Sequence, residues 1–416
     1  MAVALAAGSW GAMVAFWREK TFQTLAIGVL GVVGFLGIVE ATRALTGDQV
    51  WVSALNPFRT LLTVLDPFAR DRDPIALRSV ISLSGLGLVL ISVTVWRLRI
   101  WNPSRTTYVQ PEEETDDASG ETRVRHRRIW SNPVIWREIR TRAYGRKVQL
   151  IKAAYLVLAT AVVYLVTVAT GDGLVLNIIS PGGLAVVGLS LLSLLLINAQ
   201  AVTALTSERD GKTLDRLLAT DISAKEFIYG KLGGIAWNTR ELILVPLALA
   251  GWQAMIGAIL WEDFIYLLVG FSMLSVFAAM LGLHSGLTFE ASRMAIGNSL
   301  GTLFFLFIGI FVFLMLLVEA SGSFASQLLS FIVFIGLGGI GLWASLTHKN
   351  PSPALTLAAG WLPFVTFYSI TEFLREGTLS VCLAIVAVYG FTSLAMLVPA
   401  VSAFDVALGR TTGDRG

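Results

Sequence analysis

The stretch Leu303-Phe304-Phe305-Leu306-Phe307-Ile308-Gly309-Ile310-Phe311-Val312-Phe313-Leu314-Met315-Leu316-Leu317-Val318 carries no polar side chain on any face. A membrane-barrel strand alternates apolar and polar residues over about ten positions, and a surface helix of a soluble domain keeps one polar side. Neither pattern fits, so the segment reads as a helix surrounded by lipid and by other helices. With it, nine stretches of about 20 apolar residues, the length that crosses a ~30 Å hydrocarbon layer, fall near 22–42, 79–98, 151–170, 181–204, 234–258, 264–288, 297–318, 326–346 and 380–403. The expected fold is all-α: a polytopic helical membrane protein with about eight spans plus a re-entrant segment.

Composition agrees with this reading. Of 416 residues, 55% are hydrophobic and 14% charged, with a mean hydropathy of +0.73, against roughly one-quarter charged in an ordinary soluble domain. A soluble enzyme and a disordered chain are both excluded. The single cysteine, Cys382, rules out an internal disulfide framework. A net charge of +3, from 31 basic and 28 acidic residues, is too balanced to argue for a nucleic-acid partner.

The position of the charges orients the spans. The block from Arg97 to Lys152 holds 13 basic and 7 acidic residues, and the positive-inside rule puts it in the cytoplasm. The turns at Gly171-Asp172-Gly173 and Trp261-Glu262-Asp263 then face away, and Thr206 to Leu232 returns to the inside. Segment 326–346 contains Gly336, Gly338, Gly339 and Gly341, which weaken a plain helix and suit a re-entrant hairpin. With re-entry the last span ends in the cytoplasm beside Arg410 and Arg415; a full crossing leaves those arginines outside. Met1 to Phe16 lacks the positive start of a secretory signal and is short for a span, so it reads as the tail of a helix whose beginning is missing or as an interfacial segment.

A weak internal repeat relates the two ends of the chain. Each has a small-residue helix end, a basic turn (Arg18, Arg293), an apolar span, an Asn-Pro pair (Asn56-Pro57, Asn350-Pro351), a further proline (Pro67, Pro363) and a last span. On this pattern residues 1–100 are the back half of one membrane unit and 130–416 a complete second unit. Residues 101–129, with the acidic run Gln110 to Asp117, read as a disordered cytoplasmic linker.

Two cytoplasmic segments carry most of the functional information. In Asn132 to Arg142 a proline suited to a first helical turn precedes Ile135, Ile139 and Ala143 at four-residue spacing, with arginines on the other face. Such a helix lies in the membrane interface, either as a plain anchor or as an elbow that transmits motion to the span at 151. The second segment, Thr206 to Lys231, places Leu214, Leu217 and Leu218 in a narrow apolar stripe among Glu208, Arg209, Asp210, Asp215 and Arg216. A short helix of that kind docks in a partner's groove while held near the membrane. Ser223 can cap a second helix leading to Lys231 and the next span.

The second segment, followed by Gly233-Gly234, resembles the cytoplasmic loop of the permease subunits of ATP-binding-cassette (ABC) transporters of the type-two exporter class. Their loop has the form Ser-Glu-…-Gly-…-Thr-Leu-Glu-…-Leu-Leu-…-Thr-Pro-…-Ser, ending in Gly-Lys. Ser207, Glu208, Gly211, Thr213, Leu214, Asp215, Leu217, Leu218, Thr220, Ser223, Gly230 and Lys231 match in kind, whereas Asp221 stands where proline is usual. The resemblance implies that Glu208, Arg209, Asp210, Thr213, Leu214, Asp215, Leu217, Leu218, Asp221, Ser223 and Lys231 couple the chain to an ATPase. It also implies that Trp136, Arg137, Glu138, Ile139, Arg140 and Arg142 belong to an elbow helix. The expected partners are two ABC ATPase subunits, a second permease half as homo- or heterodimer, and membrane lipids. ATP and magnesium are expected in the ATPase, no cofactor is expected in this chain, and the expected location is the cell membrane.

Other motifs carry less. Gly211-Lys212-Thr213 resembles the end of a phosphate-binding loop, but Thr206 stands where its first glycine belongs and a membrane helix precedes it. His126, His284 and His348 are scattered, so no metal centre is expected. Arg240 and Glu241 fall near the cytoplasmic end of a span, where pairing or snorkelling is the first expectation and a place on a substrate path the second. Gly282-x-x-x-Gly286 and Gly297-x-x-x-Gly301 suit close helix crossing. The expected function is the permease subunit of an ATP-driven exporter, itself no enzyme. A membrane scaffold is the alternative; an ion-driven carrier is disfavoured, because only Glu40 and Glu319 lie in spans as carboxylates away from the cytoplasm, each near an outer end.

Overall fold

The computed structural model describes residues 1–17, 21–46, 50–65, 72–101, 132–140, 148–168, 180–211, 222–319, 324–349 and 351–407. Among them every regular element is helical, and eight helices are long and apolar enough to cross a bilayer, so the chain is an all-α, polytopic helical membrane protein. It divides into two compact units, Met1–Ile129 and Trp130–Gly416.

The first unit contains α1 (Ala2–Trp17), α2 (Thr21–Thr46), α3 (Val50–Leu55), α4 (Pro57–Leu65) and α5 (Arg72–Trp101). Helix α1 packs along α5 and meets α2. The Trp10 indole donates to the Gly28 carbonyl at 3.0 Å, and its ring lies so close to Gly31 that an added Cβ would sit 2.2 Å away. The Asn-Pro pair works as a helix start: Asn56 Oδ1 accepts from the Phe58 amide at 2.9 Å, while Pro57 takes the position where no amide donor is needed. Glu40 is tied to this corner by Asn56 Nδ2 at 2.7 Å and by Arg59 through Nε at 2.6 Å and Nη2 at 2.8 Å. Its carboxylate therefore ties α2 to the start of α4 through side chains.

The second unit contains α6 (Pro133–Arg140), α7 (Val148–Val168), α8 (Pro181–Asp210), α9 (Ala224–Met255), α10 (Trp261–Thr288) and α11 (Ser292–Leu303). A π-helical turn (Phe304–Gly309) follows, then α12 (Ile310–Glu319), α13 (Phe324–Leu346), α14 (Pro353–Leu374) and α15 (Thr378–Ala407). Helices α8 and α10 form the centre; α9 and α11 pack on both, and α15 packs on α10 and α14. Gly282 and Gly286 bring α10 against α8. A Cβ at Gly282 would lie 2.6 Å from Ala201 Cβ and 2.8 Å from the Asn198 carbonyl, the close approach that small residues permit between membrane helices. Asn198 Nδ2 donates to the Ala278 carbonyl at 2.9 Å, and Ser299 Oγ donates to Asn198 Oδ1 at 2.9 Å, so three helices share one buried amide.

The C-terminal third departs from the sequence expectation. Segment 326–346 is one continuous helix, α13, instead of a re-entrant hairpin. One of its glycines has another use: the Phe305 ring from the π-helical turn lies so close to Gly338 that an added Cβ would be 1.9 Å from the ring. A second helix, α14, follows where no span was expected, and it runs straight through Pro363 after a start capped by Ser352. Helix-breaking proline is tolerated here because neighbouring helices shield the freed backbone. Two helices of spanning length replace one re-entrant segment, an even number that leaves the last helix ending on the same side in both schemes. The segments near 151–170 and 234–258 form α7 and α9, which lie outside the eight strongly apolar helices. They carry the charged residues Lys152, Arg240 and Glu241, of which Lys152 and Glu241 are partly buried and Arg240 is exposed.

Candidate functional site

The two informative segments meet. Helix α6 lies across the first turns of α9, and Asn132 fixes both: its Oδ1 accepts from the amides of Val134 at 3.0 Å and Ile135 at 3.1 Å, and its Nδ2 donates to the Glu226 carbonyl at 2.9 Å. Glycines of α9 make the bed. An added Cβ would come within 2.6 Å of Val134 Cβ at Gly230 and within 2.5 Å of Glu138 Cβ at Gly234. Val134 and Glu138, four residues apart, are thus the buried face of α6. Of the expected apolar stripe, Ile135 and Ile139 remain partly exposed and Ala143 lies outside the described residues; the face one position away lies on protein, and Ile135 touches the bed only at its edge beside Gly233.

A buried ion cluster closes this contact. Lys231, 1% exposed, places Nζ 2.6 Å from Glu138 Oε1 and 2.7 Å from Glu208 Oε1, and donates to the Ala204 carbonyl at 3.3 Å. Arg137 pairs with Glu208 and, at 3.3 Å, with Glu138. Two acids and two bases from α6, α8 and α9 therefore cancel in charge, which makes their burial tolerable. Burial works against the Arg137 charge, but Glu208 and Glu138 beside it outweigh that and hold the guanidinium above the ordinary arginine value. Glu138 Oε2 is buried with no hydrogen-bond partner among the described residues.

The next two residues of α8 form a second fastening. Arg209 Nη1 donates to the Phe289 carbonyl at 2.6 Å and the Gly286 carbonyl at 3.1 Å, satisfying the open end of α10. Ser292 Oγ donates to Asp210, 2.6 and 2.7 Å from its two oxygens, at the start of α11. On the far side of the loop Ser223 caps α9 in a reciprocal box: Glu226 N donates to Ser223 Oγ at 3.2 Å and Ser223 N to Glu226 Oε2 at 3.0 Å. Both roots of segment 212–221 are thus pinned.

The structure sorts the expected coupling residues. Glu208, Arg209 and Asp210 spend polar atoms inside the chain, Lys231 is enclosed, and Ser223 is a cap; the contacts of all five are internal. Thr213, Leu214, Asp215, Leu217, Leu218 and Asp221 lie outside the described residues, as does Arg142. In α6, Trp136, Arg137 and Ile139 are partly exposed, while only the backbone of Arg140 is described. Arg240 and Glu241 do not join the cluster. Glu241 pairs with Lys152 of α7 at 2.8 Å and with Arg240 at 3.2 Å, and Arg240 stacks over Trp237 at 4.2 Å. Sequence reasoning missed the Glu138–Lys231 and Lys152–Glu241 pairs. It also missed the Gly230-x-x-x-Gly234 spacing that builds the bed, a signal readable in the sequence. Among the described residues no three His, Cys, Asp or Glu side chains gather as metal ligands. No protein-family model, no curated protein and no solved structure matches this chain.

Proposed function

We propose that the chain is a membrane permease subunit worked by a separate ATPase, the partner being engaged by segment 212–221 and the movement being carried into the helices by the Glu138–Glu208–Lys231–Arg137 cluster. The observation that carries this reading is the cluster's position. It joins the roots of the loop to an amphipathic helix and to two bundle helices, so a push on the loop moves α6, α8 and α9 together. A loop rooted in frayed helix ends would dissipate the push. The reading places ATP and magnesium in the partner, a second permease half beside this one, and the assembly in the cell membrane with the loop in the cytoplasm.

The test is a mild-detergent purification of the tagged full chain with mass-spectrometric identification of what co-purifies. Leu217→Asp with Leu218→Asp is the appropriate variant; Glu208→Arg is not, since it would break the internal cluster. Co-purification of an ATPase whose ATP hydrolysis responds to the chain, and its loss from a variant of unchanged melting temperature, is the expected result. A folded wild-type chain that brings down no ATPase refutes the permease reading and favours a scaffold.

A further inference from the structure

The α8–α10 pair uses glycine in opposite ways at its two ends. Near the ion cluster Gly282 and Gly286 close the pair. At the other end Gly270 is buried, yet an added Cβ would meet only Ile385 Cδ1, at 3.9 Å, and at Gly188 it would meet nothing within 4 Å. Both line a cavity of 330 Å³, open on one side, between α8, α10, the π-helical turn, α12, α14 and α15. Leu194, the lining residue of α8 nearest the ion cluster, is fourteen residues from Glu208, about 21 Å along a helix. Two missing side chains thus leave a space that close packing of a protein interior would otherwise remove.

The wall defines what fits. It is built from aliphatic and aromatic side chains, Phe271, Phe307, Phe373 and Ile385 among them, and no lining residue is charged. An ion, a sugar or a charged peptide would lose hydration there without compensation. A few hydroxyls interrupt the hydrocarbon. The Tyr389 and Thr366 hydroxyls satisfy each other at 2.6 Å, whereas Ser369 Oγ, in a residue 7% exposed, has no partner among the described residues. That hydroxyl can donate to an ester or hydroxyl oxygen at the end of an otherwise apolar chain.

We propose that this cavity is a binding site for a single hydrocarbon chain with an uncharged polar end, held by dispersion contacts along the wall and by Ser369. The site rests on its own geometry and stands whether or not an ATPase drives the chain. Two sources share this chemistry, the acyl tail of a bilayer lipid and a free long-chain alcohol.

The full chain is reconstituted in phosphatidylcholine vesicles with either a phospholipid carrying a diazirine in its acyl chain or a free diazirine fatty alcohol. After illumination the labelled peptides are identified by mass spectrometry. Expected is label in the 366–389 region of α14 and α15, falling on the order of tenfold in Gly270→Leu, which fills the space, while label on the exposed face of α13 at Leu329 and Ile332 is unchanged. Label from the phospholipid assigns the site to a lipid tail, and label from the alcohol alone assigns it to a free amphiphile. Gly188→Leu, at an exposed position, repeats the test if Gly270→Leu does not fold. Absence of label at 366–389 from either probe overturns the proposal, as does label there that a folded filling variant leaves undiminished.

Discussion

Replacing Lys231 with methionine keeps the length and apolar stem of the side chain and deletes its charge, which isolates the electrostatic part of the cluster. Glu138 and Glu208 then lose a cation that lies 2.6 and 2.7 Å from them. Removing one partner of a buried ion pair costs about 3–5 kcal/mol, mostly because the other charge is left in a medium that cannot solvate it. Arg137 remains beside both carboxylates and is 31% exposed, so water reaches the site and the lower figure, about 3 kcal/mol, applies. At about 2–4 °C per kcal/mol for a large domain, the melting temperature in detergent falls by about 6–12 °C. Lys231→Met with Glu138→Leu removes one acid and one base, leaves Glu208 facing Arg137, and should recover at least about 2 kcal/mol of the loss through the coupling of neighbours. A single-variant shift below about 2 °C, or a double variant that falls by the sum of its singles, refutes the claim that these charges stabilise one another.

Other substitutions test the packing. Gly234→Ala drives a Cβ to 2.5 Å from Glu138 Cβ and should cost about 1–3 kcal/mol, with α6 becoming open to trypsin in limited proteolysis. Gly282→Ala meets backbone atoms of α8 at 2.8 Å, which cannot turn away, so it should lower the melting temperature by the equivalent of about 2–3 kcal/mol. Gly301→Ala, with nothing within 4 Å, should leave stability unchanged or raise it by up to about 1 kcal/mol in the same assay. Arg209→Ala uncovers the carbonyls of Gly286 and Phe289 and should cost about 1–3 kcal/mol, read by melting and by faster amide exchange at the start of α11.

How much was legible in the sequence follows from which forces act locally. Apolar length announces a membrane helix, so α2, α5, α8, α10 and α15 stand close to where their residues suggested. Helix starts were legible too: Asn132-Pro133 and Ser223 with Glu226 are local chemistry and cap as their residue types require. The glycines of α13 misled because their local penalty is real but is offset by a partner distant in sequence, the Phe305 ring against Gly338. The cluster was half legible. Glu138, Glu208 and Lys231 each stood out, yet nothing local says that a carboxylate on α6 and a lysine on α9, 93 residues apart, share a proton-donating contact.

The order of packing adds a step that few identities could carry. In the first unit the helix before the basic turn, α1, packs along the last helix, α5; in the second, the helix before the turn at Arg293, α10, packs along the last helix, α15. Between them both units place a span and then a break with an Asn-Pro pair. The second unit fills that break with two long helices, α13 and α14, where the first has the short α3 and α4. The parts of the repeat that persist are therefore the framing helices, while the insert varies. The cavity of the second unit is walled by α14 and by the framing pair α10 and α15. If the two units descend from one pattern, the first, with α3 and α4 too short to wall such a space, should take up no hydrocarbon chain. Photolabelling of α5 by the same diazirine probes, confined to its lipid-facing residues and insensitive to added competitor alcohol, is the expected result; saturable label in the α1–α5 contact would contradict it.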